Sequence, residues 1–139
     1  MASTSMAVVI LGILVFLQVS GAAGWAMDQP AAMSLNGFQQ GEEGGPAARD
    51  GPCDGQYHSD NLFLVALTTA WYENGARCGK LISVNSSNGR SHEARVVDEC
   101  GTDNGCRTDE ISTSVAVWEA LGLDTSVGEV SVTWSDVIW

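Results

Sequence analysis

Positive charge is scarce in this chain: 6 Lys and Arg stand against 17 Asp and Glu, a formal net charge of -11 over 139 residues. Duplex nucleic acid and anionic membrane surfaces are both held mainly by cations on phosphates, so the charge balance excludes them as partners. Long hydrophobic runs are also missing. The longest, residues 6–19, is about 14 residues and falls short of the roughly 20 that a transmembrane helix needs. No two cysteines are spaced C-x₂-C, and neither His58 nor His92 lies at a ligand spacing from a cysteine, so a zinc site is not expected. No G-x-S-x-G surrounds Ser59 or Ser112, which removes an elbow-type serine nucleophile. With no nucleotide motif either, no cofactor and no metal are expected.

What is present begins with residues 6–19, apolar or Gly apart from Gln18 and followed by the small residues Ser20-Gly21-Ala22-Ala23-Gly24. That pattern reads as a secretory signal peptide over residues 1–24, with a single domain from 25 to 139 expected to act as a monomer. No Lys or Arg precedes the apolar run, which leaves the amino terminus as its only positive charge. Secretion implies an oxidising compartment, so Cys53, Cys78, Cys100 and Cys106 are expected to form two disulfides, with three connectivities open. At this size each bridge is worth roughly 2–4 kcal/mol.

Along the domain, Met33-Ser34-Leu35-Asn36 alternates as a short strand, and residues 39–52 (QQGEEGGPAARDGP) read as a flexible Gly, Pro and acid-rich loop. Residues 62–72 (LFLVALTTAWY) read as one buried strand. Residues 80–85 and 91–98 form a hairpin whose turn contains Asn88-Gly89. One helix is expected, capped by Ser112 or Thr113, with Val115, Trp118 and Leu121 on its buried face and Gly122 as its stop. Val130, Val132 and Trp134 alternate with polar residues as a final strand. Five or six strands and one helix suggest a small β-barrel.

Five segments, CDGQYHSDN at 53–61, VALTTAWY at 65–72, ARVVDEC at 94–100, AVWEALG at 116–122 and VTWSD at 132–136, resemble in order and spacing the kiwellin family of plant ripening-related proteins. MSLNGF at 33–38 looks like that family's first strand. Cys78-Gly79-Lys80 followed by ARVVDEC resembles the barwin-type proteins, and both groups are similar to the expansins. The resemblance implies a mainly β fold, a six-stranded double-psi β-barrel with one short helix, stapled by disulfides. Two departures are visible: no Cys-rich segment precedes the first strand, and the loop from Cys106 to the helix is short and lacks an extra Pro-Pro-Cys.

Some double-psi barrels cut polysaccharides, which normally takes two carboxyl groups about 5–5.5 or 6.5–9.5 Å apart. Asp98 and Glu99 end a strand, and Asp109 and Glu110 precede the helix. The resemblance to expansins places Ser112 in the slot where an Asp is expected, and a hydroxyl cannot serve as the acid near neutral pH. No catalysis is therefore expected, and Asp98 reads as a structural carboxylate beside a disulfide. Trp118 and Trp134 read as packing residues. If residues 62–72 are one strand, alternation turns one of Trp71 and Tyr72 outward. His58, Asp60, Trp71, Tyr72 and Asp98 are the candidate binding residues, and Asn85-Ser86-Ser87 is a glycosylation sequon. The resemblance implies a secreted, apoplastic ripening or defence protein that binds a secreted protein, pathogen-derived ones included. The competing expectation is a cell-wall glycan partner, with wall binding or expansin-like wall loosening.

Overall fold

The computed structural model describes residues 28–39 and 53–137. Its six strands are β1 (Gln29–Leu35), β2 (Leu64–Thr68), β3 (Leu81–Ser86), β4 (Ser91–Cys100), β5 (Glu110–Thr113) and β6 (Glu129–Asp136). They close into a barrel in the order β1-β5-β2-β4-β3-β6. The β1/β5 and β2/β4 pairs are parallel and the other four antiparallel. Two short helices, α1 (Thr69–Tyr72) and α2 (Val115–Ala120), follow β2 and β5. The signal segment and nearly all of the 39–52 loop lie outside the described residues.

Alternation explains most strands. Ile82 and Val84 of β3, Ala94 and Val96 of β4, and Val132 and Trp134 of β6 fill the interior together with Met33, Val65, Leu67 and Ile111. Every residue of β2 is buried, because both of its faces are covered. Val65 and Leu67 meet the interior, while Leu64 and Ala66 pack outside it with Phe38, Val97, Cys100 and Cys106. Helix α2 plugs the interior with Val117 and Trp118, and Leu121 just beyond its end completes the contact.

Two sequence expectations fail. The run 62–72 is not one strand. β2 stops at Thr68, whose hydroxyl donates to Arg107 O at 2.6 Å, and α1 with a 3-10 turn over Glu73–Gly75 reverses the chain through left-handed Glu73 and Asn74 (φ 53° and 55°). A run apolar but for Thr68-Thr69 carries no period that separates strand from helical turn. Nor do Ser112 and Thr113 cap the helix, since both lie in β5, a strand whose sequence EIST has a single apolar residue. Ser114 occupies the cap position, but its hydroxyl is engaged elsewhere, donating to Leu62 O at 2.7 Å and accepting from Leu64 N at 3.1 Å.

The hairpin and the helix stop form as expected, and they meet. Asn88 Oδ1 accepts from Arg90 N at 2.9 Å, and Asn88 Nδ2 donates to Leu121 O at 2.8 Å. Gly122 takes φ +69°, and a Cβ there would lie 2.5 Å from Arg90 Nη1. The left-handed backbone is what requires glycine, since the end of the Arg90 side chain can swing aside.

The bridges are Cys53–Cys78 and Cys100–Cys106, and all four cysteines are oxidised. The first ties the loop before β2 to the chain entering β3. The second closes the turn between β4 and β5.

Candidate functional site

Two places are chemically distinct. The first is a polar row across four strands. Ser34 lies opposite Ser112, Ser112 opposite Ala66, and Ala66 opposite Asp98. Residues directly opposite share a face, so the row runs beside the cluster that contains Phe38. A register shift between Val65 and Ala66 makes Val97 the extra residue and sets Asp98 across from Ala66.

In this row Asp98 is 3% exposed and Ser112 1%. Asp98 Oδ1 accepts the Glu99 N–H at 2.7 Å. Two strand spacings put Asp98 roughly 10 Å from Ser112. The nearby acids are engaged. Glu110 accepts from Ser34 Oγ at 2.7 Å and from Arg107 N at 3.0 Å, and Glu99 accepts from Thr69 Oγ1 at 2.8 Å. Asp109 is exposed and paired with Arg107 at 3.5 Å. Ser112 Oγ lies 3.1 Å from Ser34 Oγ. The Cys100, Cys106 and Glu110 ligand atoms cluster, but both sulfurs are in a disulfide and offer no thiolate to a metal.

The second place is a groove of about 580 Å³ between the loop before β2 and the base of the β3/β4 hairpin. Its floor is the Cys53–Cys78 bridge with Leu64, Val96 and Val97. On one wall Phe63 meets the His92 ring at 4.0 Å between centroids, tilted by 33°. Phe63 is 40% exposed and Leu62 50%. On the other, Asp54 holds His58 Nε2 at 3.2 Å. Glu93 and Arg95 complete the rim, with Arg95 Nη1 donating to Gly79 O at 2.6 Å.

The candidate residues therefore separate. His58 lines the groove. Asp60 is a clasp, its Oδ1 accepting Phe38 N at 2.8 Å and so binding the loop before β2 to the chain after β1. Tyr72 is buried in the interior, and the expected outward ring is not found there: burial, then Glu99 and Asp98, raise its phenol above the ordinary value of 10.0. Trp71 is half-buried and meets Trp134 edge-on at 5.3 Å. Arg77 lies over the Trp134 ring, pairs with Asp136 at 3.0 Å and bonds Trp71 O at 2.7 Å, and its guanidinium is raised above its usual range chiefly by the Asp136 bond. Asn85 is half-buried in β3, with Nδ2 3.4 Å from Thr133 Oγ1. Phe63, Leu62, His92 and Glu93 were not among the candidates. Leu62 and Phe63 were hidden in an apolar run, and His92 and Glu93 in a hairpin arm.

The sequence model described as Kiwellin-1 matches residues 20–137. The chain belongs to the kiwellin family. Among its relatives, putative ripening-related protein 6 of Oryza sativa subsp. japonica is 56% identical over 110 residues, covering 77% of this chain and 64% of that protein. Kiwellin of Actinidia chinensis var. chinensis is 45% identical over 116 residues, covering 76% and 53%. The chain thus spans between half and two thirds of the length of these kiwellin relatives. Two solved structures share its fold. The Clavibacter michiganensis expansin in complex with cellohexaose superposes with a TM-score of 0.63 at 23% identity, over 81% of this chain and 51% of that one. The Streptomyces papain inhibitor gives 0.60 at 25% identity, over 81% and 96%. With the barrel order above, these likenesses make the kiwellin fold here a double-psi β-barrel. No helix among the described residues is long and apolar enough to cross a membrane.

Proposed function

We propose that this kiwellin-family chain is a secreted, non-catalytic ripening or defence protein that acts by binding another protein, as an inhibitor of secreted pathogen proteins would. The observation that carries the reading is Ser112, a buried hydroxyl beside Ser34 in the slot ahead of α2 where a polysaccharide-cutting barrel needs an acid. Glu110 and Glu99 serve as hydrogen-bond acceptors for the scaffold. A hydroxyl at position 112 is a poor proton donor to a leaving oxygen near neutral pH. A rigid, bridged barrel carrying an open groove suits recognition, because loops held by a scaffold bind with little ordering cost. A fold neighbour named as a papain inhibitor, nearly all of which aligns with this chain, supports a protein partner. The apolar leader at residues 6–19 and the two bridges support secretion into the apoplast.

A second reading, cell-wall glycan binding or expansin-like wall loosening, is favoured by the cellohexaose complex of the expansin neighbour. Retention on cellulose or chitin that survives high salt would favour it. Release of reducing sugar that disappears in Asp98→Asn would overturn the non-catalytic reading. Affinity purification from infected tissue, with a specific secreted protein recovered at stoichiometric yield, is the outcome expected from protein recognition.

A further inference from the structure

We propose that the groove over the Cys53–Cys78 bridge docks a partner-protein loop that presents an apolar side chain flanked by basic ones. The inference rests on the protein-recognition reading and names its site and the chemistry of its partner.

The apolar part follows from geometry. Leu62 and Phe63 are half exposed at the groove lip, in a barrel whose other large apolar residues are mostly buried. Phe63 is held by the His92 ring and the floor is a covalent bridge, so an incoming side chain meets a surface that is already ordered. Exposed aromatics on rigid supports are what interface anchors are built from.

The basic part follows from charge. Glu93 is exposed at the rim and its carboxylate has no bonding partner among the described residues. Among the described residues of the lining Asp54, which holds His58, carries the second carboxylate. Among the described residues of the lining Arg95 is the one Lys or Arg; it donates to Gly79 O and keeps its charge, so the two carboxylates stay in excess of it. Elsewhere Arg77 and Arg107 are locked in ion pairs, within a chain of net charge -11. Such a field steers a cationic loop towards the molecule, and the rim carboxylates give it a register.

The test uses the isotope-labelled protein recovered from a secreting host. It is titrated by NMR with three synthetic peptides, Gly-Lys-Phe-Lys-Gly, Gly-Glu-Phe-Glu-Gly and Gly-Lys-Gly-Lys-Gly, and with cellohexaose. The Lys-Phe-Lys peptide is expected to shift the Phe63, His92 and Glu93 signals and to bind more tightly than the other two. Phe63→Ser weakens it about tenfold and Glu93→Lys about fivefold, while Val127→Ser, an exposed apolar control far along the chain, leaves it unchanged. Absence of groove shifts with that peptide, or an equal response to the Glu-Phe-Glu peptide, overturns the proposal. Shifts confined to another face overturn the groove and leave protein recognition standing. Cellohexaose moving the groove signals while no peptide does overturns both.

Discussion

Removing the Cys53–Cys78 bridge tests whether the barrel depends on restraint of its unfolded chain. The two cysteines are 25 residues apart, against 6 for Cys100–Cys106. Loop-closure entropy makes the longer bridge worth about 3.5 kcal/mol at 25 °C and the shorter about 2.2 kcal/mol. For a domain of this size the larger figure lowers Tm on the order of 10–20 °C. Packing works in the opposite direction, because Cys100 and Cys106 are the more buried pair. The two costs separate in urea. Opening a 25-residue loop lets the denatured chain expand, so the Cys53→Ala/Cys78→Ala variant should show a steeper denaturant dependence as well as a lower midpoint. The Cys100→Ala/Cys106→Ala variant should move the midpoint with little change in slope. The reasoning is refuted if the long-loop variant loses less than about 1 kcal/mol, or loses stability with its slope unchanged while the short-loop variant's slope rises.

Other perturbations follow from the same contacts. Ser112→Asp places a carboxylate in a 1% exposed slot beside the Ser34 hydroxyl; it should cost about 2–4 kcal/mol in chemical denaturation and release no reducing sugar from cellulose, and activity in this variant would contradict the reading of the row. Gly122→Ala should cost about 1–2 kcal/mol, set by its left-handed backbone, and adding Arg90→Ala should recover only a minor part because that guanidinium can swing aside. Tyr72 gives a pH dependence. Its folded phenol is raised above 10.0, so unfolded chains release that proton first and stability falls as pH climbs through and above 10.0. In Tyr72→Phe this loss should be smaller, as thermal melts across alkaline pH will report.

Legibility tracked periodicity. β3, β4, β6 and the core half of β1 were readable because each alternates a buried apolar side chain with a less buried one, and the Asn88-Gly89 turn announced its own geometry. β5 could not be read. Its Ser112 and Thr113 are buried by strands paired to either side, a tertiary fact that a polar tetrapeptide does not carry. α1 was lost for the opposite reason, since residues 62–72 are apolar apart from Thr68 and Thr69. That error spread to the site: treating Trp71 and Tyr72 as alternating strand residues turned one ring outward, whereas the helical turn brings Tyr72 into the core and leaves Trp71 against Trp134. His58 was legible as a polar loop residue, but its groove was not, because nothing local distinguishes an exposed Leu62-Phe63 from the buried Leu64-Val65 that follows.

The anchoring of Phe38 explains how the groove can be open without weakening the barrel. Phe38 lies over Leu64, Ala66 and Val97 on the outer face, and it is fixed there by Asp60 through its N–H and by His58 N donating to its carbonyl at 2.9 Å. The loop that frames one side of the groove is therefore the strap that closes the outer cluster. A contact that pulls His58 would also strain Phe38. Replacing Asp60 by Asn keeps an acceptor for the Phe38 N–H but loses the charge, which weakens that bond by about half. Asp60→Ala removes the acceptor, should cost about 1–3 kcal/mol, and should loosen the His58 side of the groove before β3 and β4 respond. Hydrogen exchange resolves the order: amides of Phe38 and His58 should gain exchange in Asp60→Ala while those of Ile82 and Val96 stay protected, and uniform loss of protection would mean that strap and barrel unfold as one unit.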